Sequence, residues 1–263
     1  MPIRSRRRRP SRPASETSVI QPSSLQRTID RLLADRFPAG LPLRHLAAIG
    51  RDRSQRRHLP TWVASMRKNY LLTKPSPWVT FDAIDHIENY LRSQRRPLRA
   101  FEYGSGGSTL YWQSRQVECV SVEHDPAWYE LVRERIVPER VDYRLVRPEP
   151  ASGELDPSDP EAYGSADETF RRFRFDHYVR VIDAFADGHF DLVLVDGRAR
   201  TSCVRHALPK VRPGGLLILD NADRAYYTAR LRPELESLQR FEFPGATPAL
   251  AAFSRTDIYV KPK

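Results

Sequence analysis

The feature that most constrains the fold is an alternation, from residue 98 onward, of short apolar runs with segments of helical periodicity. Runs with the length and composition of strands occupy 98–104, 118–124, 141–147, 190–196, 215–221, 240–245 and 256–262. Helical patterns lie near 108–116, 126–136, 172–187, 200–211 and 224–239.

This order predicts how the runs pair. Strands that alternate with helices build a parallel sheet with helices on both faces, whereas the last two runs have no helix between them and predict a hairpin. The run LVLV (192–195) is apolar without alternation, which is typical of a central parallel strand covered on both faces. We therefore predict an α/β fold with a Rossmann-like, doubly wound sheet of seven strands and a C-terminal antiparallel hairpin.

The residues before this sheet have a different character. Apolar residues recur at helical spacing in 23–37, 59–72 and 79–94, which predicts a helical cap or appendage over 21–96 and a sheet domain over 97–263. Residues 1–20 combine an arginine cluster with Pro and Ser, a composition that cannot bury a core, and we predict that this tail is disordered.

The net charge of +10 is concentrated at the N-terminal end. Residues 1–60 contain 14 arginines, no lysine and 4 acidic residues, whereas residues 61–263 contain 29 basic and 29 acidic residues. The body is therefore not a basic nucleic-acid-binding domain by composition, and nucleic acid is a conceivable partner only through the tail. A solvated tail, an RNA- or membrane-associating arm and a targeting segment remain alternatives for it.

Compartment is indicated by what the chain lacks. No run approaches the roughly 18 apolar residues of a membrane span, and the N-terminus has no apolar stretch of the secretory kind. The two cysteines, Cys119 and Cys203, stand in apolar surroundings without metal-ligand or disulfide spacing, which fits a reducing compartment. We expect a cytoplasmic protein.

A glycine-rich turn, RAFEYGSGGSTLYW (99–112), follows the first predicted strand. The dinucleotide fingerprint GxGxxG would need a third glycine where Thr109 stands, so the pattern that fits is E-x-G-x-G-x-S. Its residues are Glu102, Gly104, Gly106 and Ser108. The next strand ends in SVEHD, which places the Glu123 carboxylate where a ribose diol can be held.

These motifs resemble those of the class I S-adenosylmethionine (SAM) methyltransferases. The E-x-G-x-G-x-S turn is similar to their motif I, with Ser in place of the third Gly, and VRPGGLLILD (211–220) is similar to the family pattern before its fifth strand. The segments EYGSGGST, VEHD, VDGRAR and DNADR also resemble a bacterial group of SAM-dependent methyltransferases that share them. The resemblance implies the fold, SAM as cofactor and methyl transfer as the activity, but no particular acceptor.

The resemblance also implies roles for individual residues. Cofactor-binding residues would be Glu102, Gly104, Ser105, Gly106, Ser108, Glu123, His124 and Asp196. The glycine turn would face the methionine end of SAM, Glu123 would hold the ribose, and His124 would edge the adenine. Asp196, at the end of the fourth strand, would lie beside the donor methyl and act in catalysis.

Asp196, Asp220 and Asn221 form a second constellation, because the fourth and fifth strands end there. Three oxygen ligands at one sheet edge suit Mg²⁺, and the set resembles the metal triad of catechol-type O-methyltransferases. The alternative is that Asp196 orients SAM and acceptor without a metal. That family places a Lys where Ala199 stands, so the general base is undefined here, and the flanking Arg198 and Arg200 are better suited to clamp a carboxylate or phosphate.

The predicted function is therefore SAM-dependent O-methylation of a small hydroxylated acceptor, such as a sugar or secondary metabolite, with or without Mg²⁺. Arg198 is the second predicted catalytic residue. One alternative is an RNA or protein methyltransferase recruited by the arginine-rich arm, and another is a SAM- or NAD-binding protein without catalysis.

Overall fold

The computed structural model of the protein describes residues 43–67 and 70–263. Its main sheet contains β1 (Arg99–Tyr103), β2 (Glu118–Glu123), β3 (Val141–Leu145), β4 (Phe190–Val195), β5 (Val211–Leu219), β6 (Gln239–Ala246) and β7 (Phe253–Val260). The strand order is β3-β2-β1-β4-β5-β7-β6. Strands β1 to β5 are parallel, and β7 is antiparallel to both β5 and β6. The predicted seven-stranded sheet with a C-terminal antiparallel hairpin is confirmed.

Strand β4 shows why its sequence lacks alternation. All of its residues are buried, because both faces of the sheet are covered. Val193 and Val195 pack on one face with Tyr178, while Leu192 and Leu194 pack on the other with Ile87. Successive side chains of a strand point to opposite faces, so residues 192–195 of this central strand are all apolar, while Asp191 near its start is buried in ion pairs with Arg96 and Arg212.

The helices lie on both faces and before the sheet. They are α1 (Leu43–Arg51), α2 (Leu59–Ser65), α3 (Tyr70–Thr73), α4 (Phe81–Ser93), α5 (Gly107–Ser114), α6 (Pro126–Arg133), α7 (Asp176–Arg180), α8 (Arg200–Lys210) and α9 (Arg232–Leu235). No helix in the described part of the chain is long and apolar enough to cross a membrane.

The predicted helix over 224–239 does not form as one element. Two short 3₁₀ segments, Ala225–Tyr227 and Ala229–Leu231, precede the single turn of α9. Pro233 has no N–H to donate to the preceding turn, so it stands in the first turn of α9, where a helix needs no such bond, and a new helical element begins here. The apolar residues that suggested the helix, among them Leu231 and Leu235, are buried nonetheless.

The helices before the sheet contact the C-terminal hairpin. Gln55 Oε1 accepts a hydrogen bond from the Ala246 backbone N–H (3.0 Å), and Trp62 Nε1 donates to the Leu250 carbonyl (2.9 Å). Helix α4 packs directly on the sheet, where Ile87 belongs to the core of one face. The boundary between residues 96 and 97 stays a prediction, and the predicted tail 1–20 and helix 23–37 lie outside the described residues.

The long acidic segment between β3 and α7 is tied to the rest of the molecule. Its ends pair as a two-residue antiparallel ladder, Glu149–Pro150 with Phe173–Arg174. Thr201 in α8 donates to the Pro157 carbonyl at 2.7 Å, and Arg230 forms an ion pair with Asp156 at 2.7 Å. These contacts hold residues 165–170 close to the carboxyl end of β4, beside Arg198.

Candidate functional site

A cleft of about 270 Å³ lies at the carboxyl ends of β1, β2, β4 and β5. Eight predicted site residues line it: Gly104, Ser105, Glu123, His124, Asp196, Arg198, Asp220 and Asn221. Ligands of open parallel sheets bind at this edge, where the connections leave neighbouring strands toward opposite sides. In this chain the change of direction falls between β1 and β4.

The floor of the cleft is formed by two glycines in contact. A Cβ on Gly104, whose φ is +88°, would lie 2.9 Å from the Gly197 Cα, so the backbones after β1 and β4 touch here. Only glycine combines positive φ with so close an approach at no steric cost. The pair leaves the backbone itself as the surface that a ligand meets.

Gly106 has a different neighbour. Its φ is +143°, and a Cβ there would come within 3.0 Å of the Trp128 ring. Trp128 Nε1 also donates to the Ser105 carbonyl at 2.8 Å, so the indole of α6 packs across the glycine turn. Trp128 lines the cleft, whereas Gly106 lies behind it.

Glu102 is fully buried and does not line the cleft. Its carboxylate accepts hydrogen bonds from Thr109 Oγ1, from Ser121 Oγ (2.6 Å) and from Trp112 Nε1 (3.0 Å). Burial raises its pKa, and these hydrogen bonds act in the opposite direction. Glu102 therefore fixes the start of α5 against β2 and shapes the turn from behind, as does the buried Ser108.

Replacement of Glu102 by glutamine should lower the free energy of unfolding by about 1–3 kcal/mol, because one carboxylate acceptor is lost and the buried donors Trp112, Ser121 and Thr109 cannot all keep their bonds to a neutral amide. Chemical denaturation measures the change. The matched control is Glu130→Gln in α6, where the carboxylate is 58% exposed and pairs only with Arg133. Equal stabilities of the two variants would contradict the role given to Glu102.

Glu123 is almost completely buried at the end of β2. One carboxylate oxygen accepts from the Ser105 N–H (3.1 Å) and hydroxyl (2.8 Å), and the other accepts from the backbone N–H groups of His124 and Asp125 (2.8 Å each). Burial alone would raise the pKa of Glu123, but the His124 ring and these hydrogen bonds lower it to about 2. The group is thus a permanently charged acceptor that joins the glycine turn to the second strand. Asp125 instead caps α6, accepting from the Ala127 N–H at 2.8 Å.

Arg200 organises the other end of the cleft. It is 7% exposed and donates to the Gly197 carbonyl (3.0 Å), to the Asp220 carbonyl (2.5 Å) and to Asp196 Oδ1 (2.9 Å). Its guanidinium also lies 3.8 Å from Asp220 Oδ2. Burial and the neighbouring Asp220 raise the pKa of Asp196, and burial likewise raises that of Asp220. Arg200 therefore links the ends of β4 and β5 and is not available as a clamp for a ligand.

The three predicted Mg²⁺ ligands meet at this corner, where two of them already contact the Arg200 guanidinium. Asp196 is paired with Arg200, Asp220 Oδ1 accepts from Thr256 Oγ1 (2.9 Å), and Asn221 Nδ2 donates to Ser254 (2.9 Å). The guanidinium already supplies positive charge between the two carboxylates. A divalent cation would have to compete with the Arg200 guanidinium for the two carboxylates, so Mg²⁺ at this corner stays a prediction.

A second group with metal-ligand spacing, His58, Asp82 and Asp85, lies among the described residues in the N-terminal helices. Arg57 contacts both carboxylates, at 2.5 Å and 3.1 Å, and His58 lies 2.9 Å from Asp82. The arrangement is an ion-pair network of ordinary composition.

The roof of the cleft contains residues that were not predicted to have a function. Trp78, Thr247 and Leu250 line it, from the segment before α4 and from the β6–β7 connection. Arg224, beyond the end of β5, lines it as well. The motifs PW (77–78) and DNADR (220–224) contain two of these residues, but Thr247 and Leu250 stand in no motif.

Comparisons with known proteins follow the fold. The chain matches no protein-family model and no curated protein. Among solved structures it is similar to cofactor-bound Rv0187 from MTB, with a TM-score of 0.49 and 15% identity over 84% of this chain and 97% of that one. It is also similar to an O-methyltransferase from Bacillus cereus in complex with SAH, with a TM-score of 0.49 and 15% identity over 77% of this chain and 91% of that one. For a methyltransferase from Pyrococcus furiosus the TM-score is 0.40, with 15% identity over 67% and 83% of the two chains.

The strand order by itself identifies the fold. The order in which the chain adds its five parallel strands reverses between β1 and β4. The C-terminal hairpin then places β7 between β5 and β6, antiparallel to both. The chain therefore has a Rossmann-like α/β fold with a C-terminal antiparallel hairpin.

Proposed function

We propose that the protein is a SAM-dependent methyltransferase that acts on an oxygen atom of a small acceptor. The observation that carries the proposal is that three predicted site elements lie together. The glycine turn after β1, the charged Glu123 after β2 and the Asp196 carboxylate after β4 line one cleft at the switch point of the sheet. These are the positions at which such sheets bind nucleotide-like ligands.

The cleft has groups that suit SAM. At Gly104 the backbone carries no side chain and can contact a ligand directly. Glu123 can accept hydrogen bonds from ribose hydroxyls when the Ser105 hydroxyl turns away from its carboxylate. Trp78 Nε1, His124 Nε2 and Thr247 Oγ1 are buried and lack a hydrogen-bond partner among the described residues. Buried polar atoms are seldom left unpaired in native proteins, so a polar ligand in the cleft is the simplest explanation for them.

When bound, SAM supplies an electrophilic methyl group on a positively charged sulfur. The protein's own contribution is alignment, because holding two reactants in a fixed geometry accounts for much of the rate enhancement of a transfer reaction. Asp196 would accept a hydrogen bond from an acceptor hydroxyl at the junction of the cleft and the β5 end, and the hydrogen bond from Arg200 supports this role by orienting the carboxylate. No step in this account requires a metal.

A small acceptor is favoured over a polymer. The cleft is roofed by Trp78, Thr247 and Leu250, and its volume of about 270 Å³ is that of a small-molecule site. The excess positive charge, which would recruit RNA, belongs to residues 1–60, and the remainder of the chain is neutral. Small hydroxylated acceptors, Mg²⁺ and a cytoplasmic location stay predictions.

Calorimetric titration tests the cofactor. We expect saturable binding of SAM and of its demethylated product, and none of NAD, because Thr109 replaces the glycine that a dinucleotide turn needs. Glu123→Gln should weaken SAM binding about tenfold through loss of a charged acceptor. Glu118→Gln, on the exposed start of the same strand, is the matched control. Binding of NAD without SAM would overturn the proposal.

A titration with Mg²⁺ alone tests the metal. Because Arg200 already neutralises the Asp196 and Asp220 corner, we expect no saturable binding there. Saturable Mg²⁺ binding that is lost in Asn221→Ala would show that the triad opens to take the ion.

A further inference from the structure

A second cavity, of about 410 Å³, adjoins the cleft. One wall is the segment 165–169, and the others are the connections after β4 and β5. Five residues line both spaces: Gly197, Arg198, Arg200, Asn221 and Arg224. Most of the remaining wall is polar, with Ser165, Thr169 and Tyr226 among its side chains. A polar space that continues from the cleft at the ends of β4 and β5 is suited to the part of an acceptor that lies beyond its reacting oxygen.

Arg198 leaves hydrogen-bonding capacity unused in this wall. Its side chain is 15% exposed, and Nη2 forms an ion pair with Asp167 at 3.2 Å. Nε is buried and has no hydrogen-bond partner in the described part of the chain. The guanidinium carbon also lies 5.6 Å from the centre of the Phe170 ring, which limits its freedom to turn toward solvent. A buried N–H without a hydrogen-bond acceptor costs free energy, so this guanidinium favours a ligand that supplies an acceptor atom.

Arg224 faces the same space from the other side. Nη1 donates to Tyr227 Oη at 3.3 Å, and no carboxylate among the described residues forms an ion pair with it. The charge of Arg200, which is itself paired with Asp196, acts on Arg224 as that of another cation. Arg224 is therefore a positive charge at the junction of the two cavities that the protein itself does not neutralise.

Two acidic residues line this cavity, and one of them pairs with Arg198. Asp167 caps the 3₁₀ turn by accepting from the Thr169 N–H (3.0 Å) and pairs with Arg198. The Glu168 side chain is 86% exposed and lies 3.8 Å from Arg171. Among the described residues neither carboxylate is paired with Arg224, so the two arginines together keep one positive charge that Asp167 does not balance.

We propose that this second cavity binds an anionic group of the methyl acceptor, a carboxylate or a phosphate, between the guanidinium groups of Arg198 and Arg224. Planar guanidinium groups bind both anions through paired N–H donors. That the anion belongs to a methyl acceptor rests on the proposed function. The acceptor's hydroxyl would lie at Asp196, while its anionic group occupies the cavity next to it. The acceptor is then a hydroxy acid or a phosphorylated alcohol.

The test uses the full chain and two probes. Inorganic phosphate and acetate are titrated separately into the protein, with and without saturating S-adenosylhomocysteine, in buffer free of other multivalent anions. We expect at least one of the anions to bind at a single site and to bind together with S-adenosylhomocysteine. The phosphate arm against the acetate arm shows which anion the site prefers.

Variants locate the site. Arg224→Gln should weaken anion binding about tenfold, because charge-assisted hydrogen bonds to the anion are lost, and should reduce the affinity for S-adenosylhomocysteine by less, although Arg224 lines the cleft as well. Arg198→Gln should weaken anion binding similarly. The control is Arg205→Gln in α8, a 45% exposed arginine that pairs with Glu161 on the surface and should have no effect.

The outcomes separate the two proposals. If S-adenosylhomocysteine binds but neither anion does, or if anion binding is unchanged in Arg224→Gln, the anion site is wrong while the methyltransferase proposal stands. Competition between anion and S-adenosylhomocysteine would also overturn it, since the anion would then occupy the cofactor's own carboxylate position. Anion binding that depends on Arg224 without any binding of S-adenosylhomocysteine would support the anion site and reject methyl transfer.

Discussion

Replacement of Gly197 by alanine is expected to destabilise the protein by about 3 kcal/mol, because overpacking a closed core forces neighbouring groups apart. A Cβ at this position would lie 2.0 Å from Tyr178 Oη and 2.9 Å from the Gly104 backbone nitrogen. Tyr178 is fully buried and packed against Tyr103, so neither group can withdraw without disturbing the core. In a chain of this length the loss corresponds to a fall in Tm of roughly 6–12 °C.

The measurement is thermal and urea-induced unfolding, with Gly153→Ala as the control. A Cβ at Gly153 meets no atom within 4 Å, so its effect should stay within about 0.5 kcal/mol. The double variant Gly197→Ala with Tyr178→Phe should recover part of the stability, since it removes the oxygen that the new methyl group meets. A Gly197→Ala variant as stable as Gly153→Ala would mean that the backbones after β1 and β4 are not in contact.

Removal of the Arg200 guanidinium is the second change with a large expected effect. Arg200→Ala would leave the Asp196 and Asp220 carboxylates close together and buried without their cation, and breaking a buried ion pair from one side costs about 3–5 kcal/mol. It would also release the Gly197 and Asp220 carbonyls that the guanidinium holds. Arg205→Ala, one turn further along α8 and 45% exposed, should change the free energy of unfolding by less than about 1 kcal/mol.

The pH dependence of the Arg200→Ala variant distinguishes lost charge balance from lost packing. Asp196 and Asp220 already have pKa values raised by burial, and loss of the cation raises them further. An acid whose pKa is raised in the folded state destabilises it fully above that pKa, and the penalty disappears as the pH falls toward the unfolded value of about 4. The stability gap between variant and wild type should therefore narrow on acidification. A gap that is constant from neutral pH to pH 4 would assign the effect to packing alone.

The sheet could be predicted from the sequence because its rules are local. The uninterrupted apolar run at 192–195 identified a central strand, and the two C-terminal runs without a helix between them identified the hairpin. The glycine turn and Glu123 were assigned to one cleft because parallel strands end at a common edge. The predicted helix over 224–239 was the exception. The spacing of its apolar residues correctly indicated which of them are buried, but the backbone there forms two 3₁₀ segments and a short helix that starts at Pro233.

Only the tertiary structure determines which side chains pair with each other. Arg198 and Arg200 stand two residues apart in the same motif, yet Arg200 is bound to Asp196 and the strand ends while Arg198 faces a cavity with an idle donor. Glu102 and Glu123 are both strand-end carboxylates, but only Glu123 lines the cleft. The roof residues Trp78 and Thr247 come from segments 169 residues apart in the chain. Periodicity and strand-end rules describe the backbone within one element, whereas the pairing of charges and the closing of a cleft depend on which distant side chains the folded chain brings within a few ångströms.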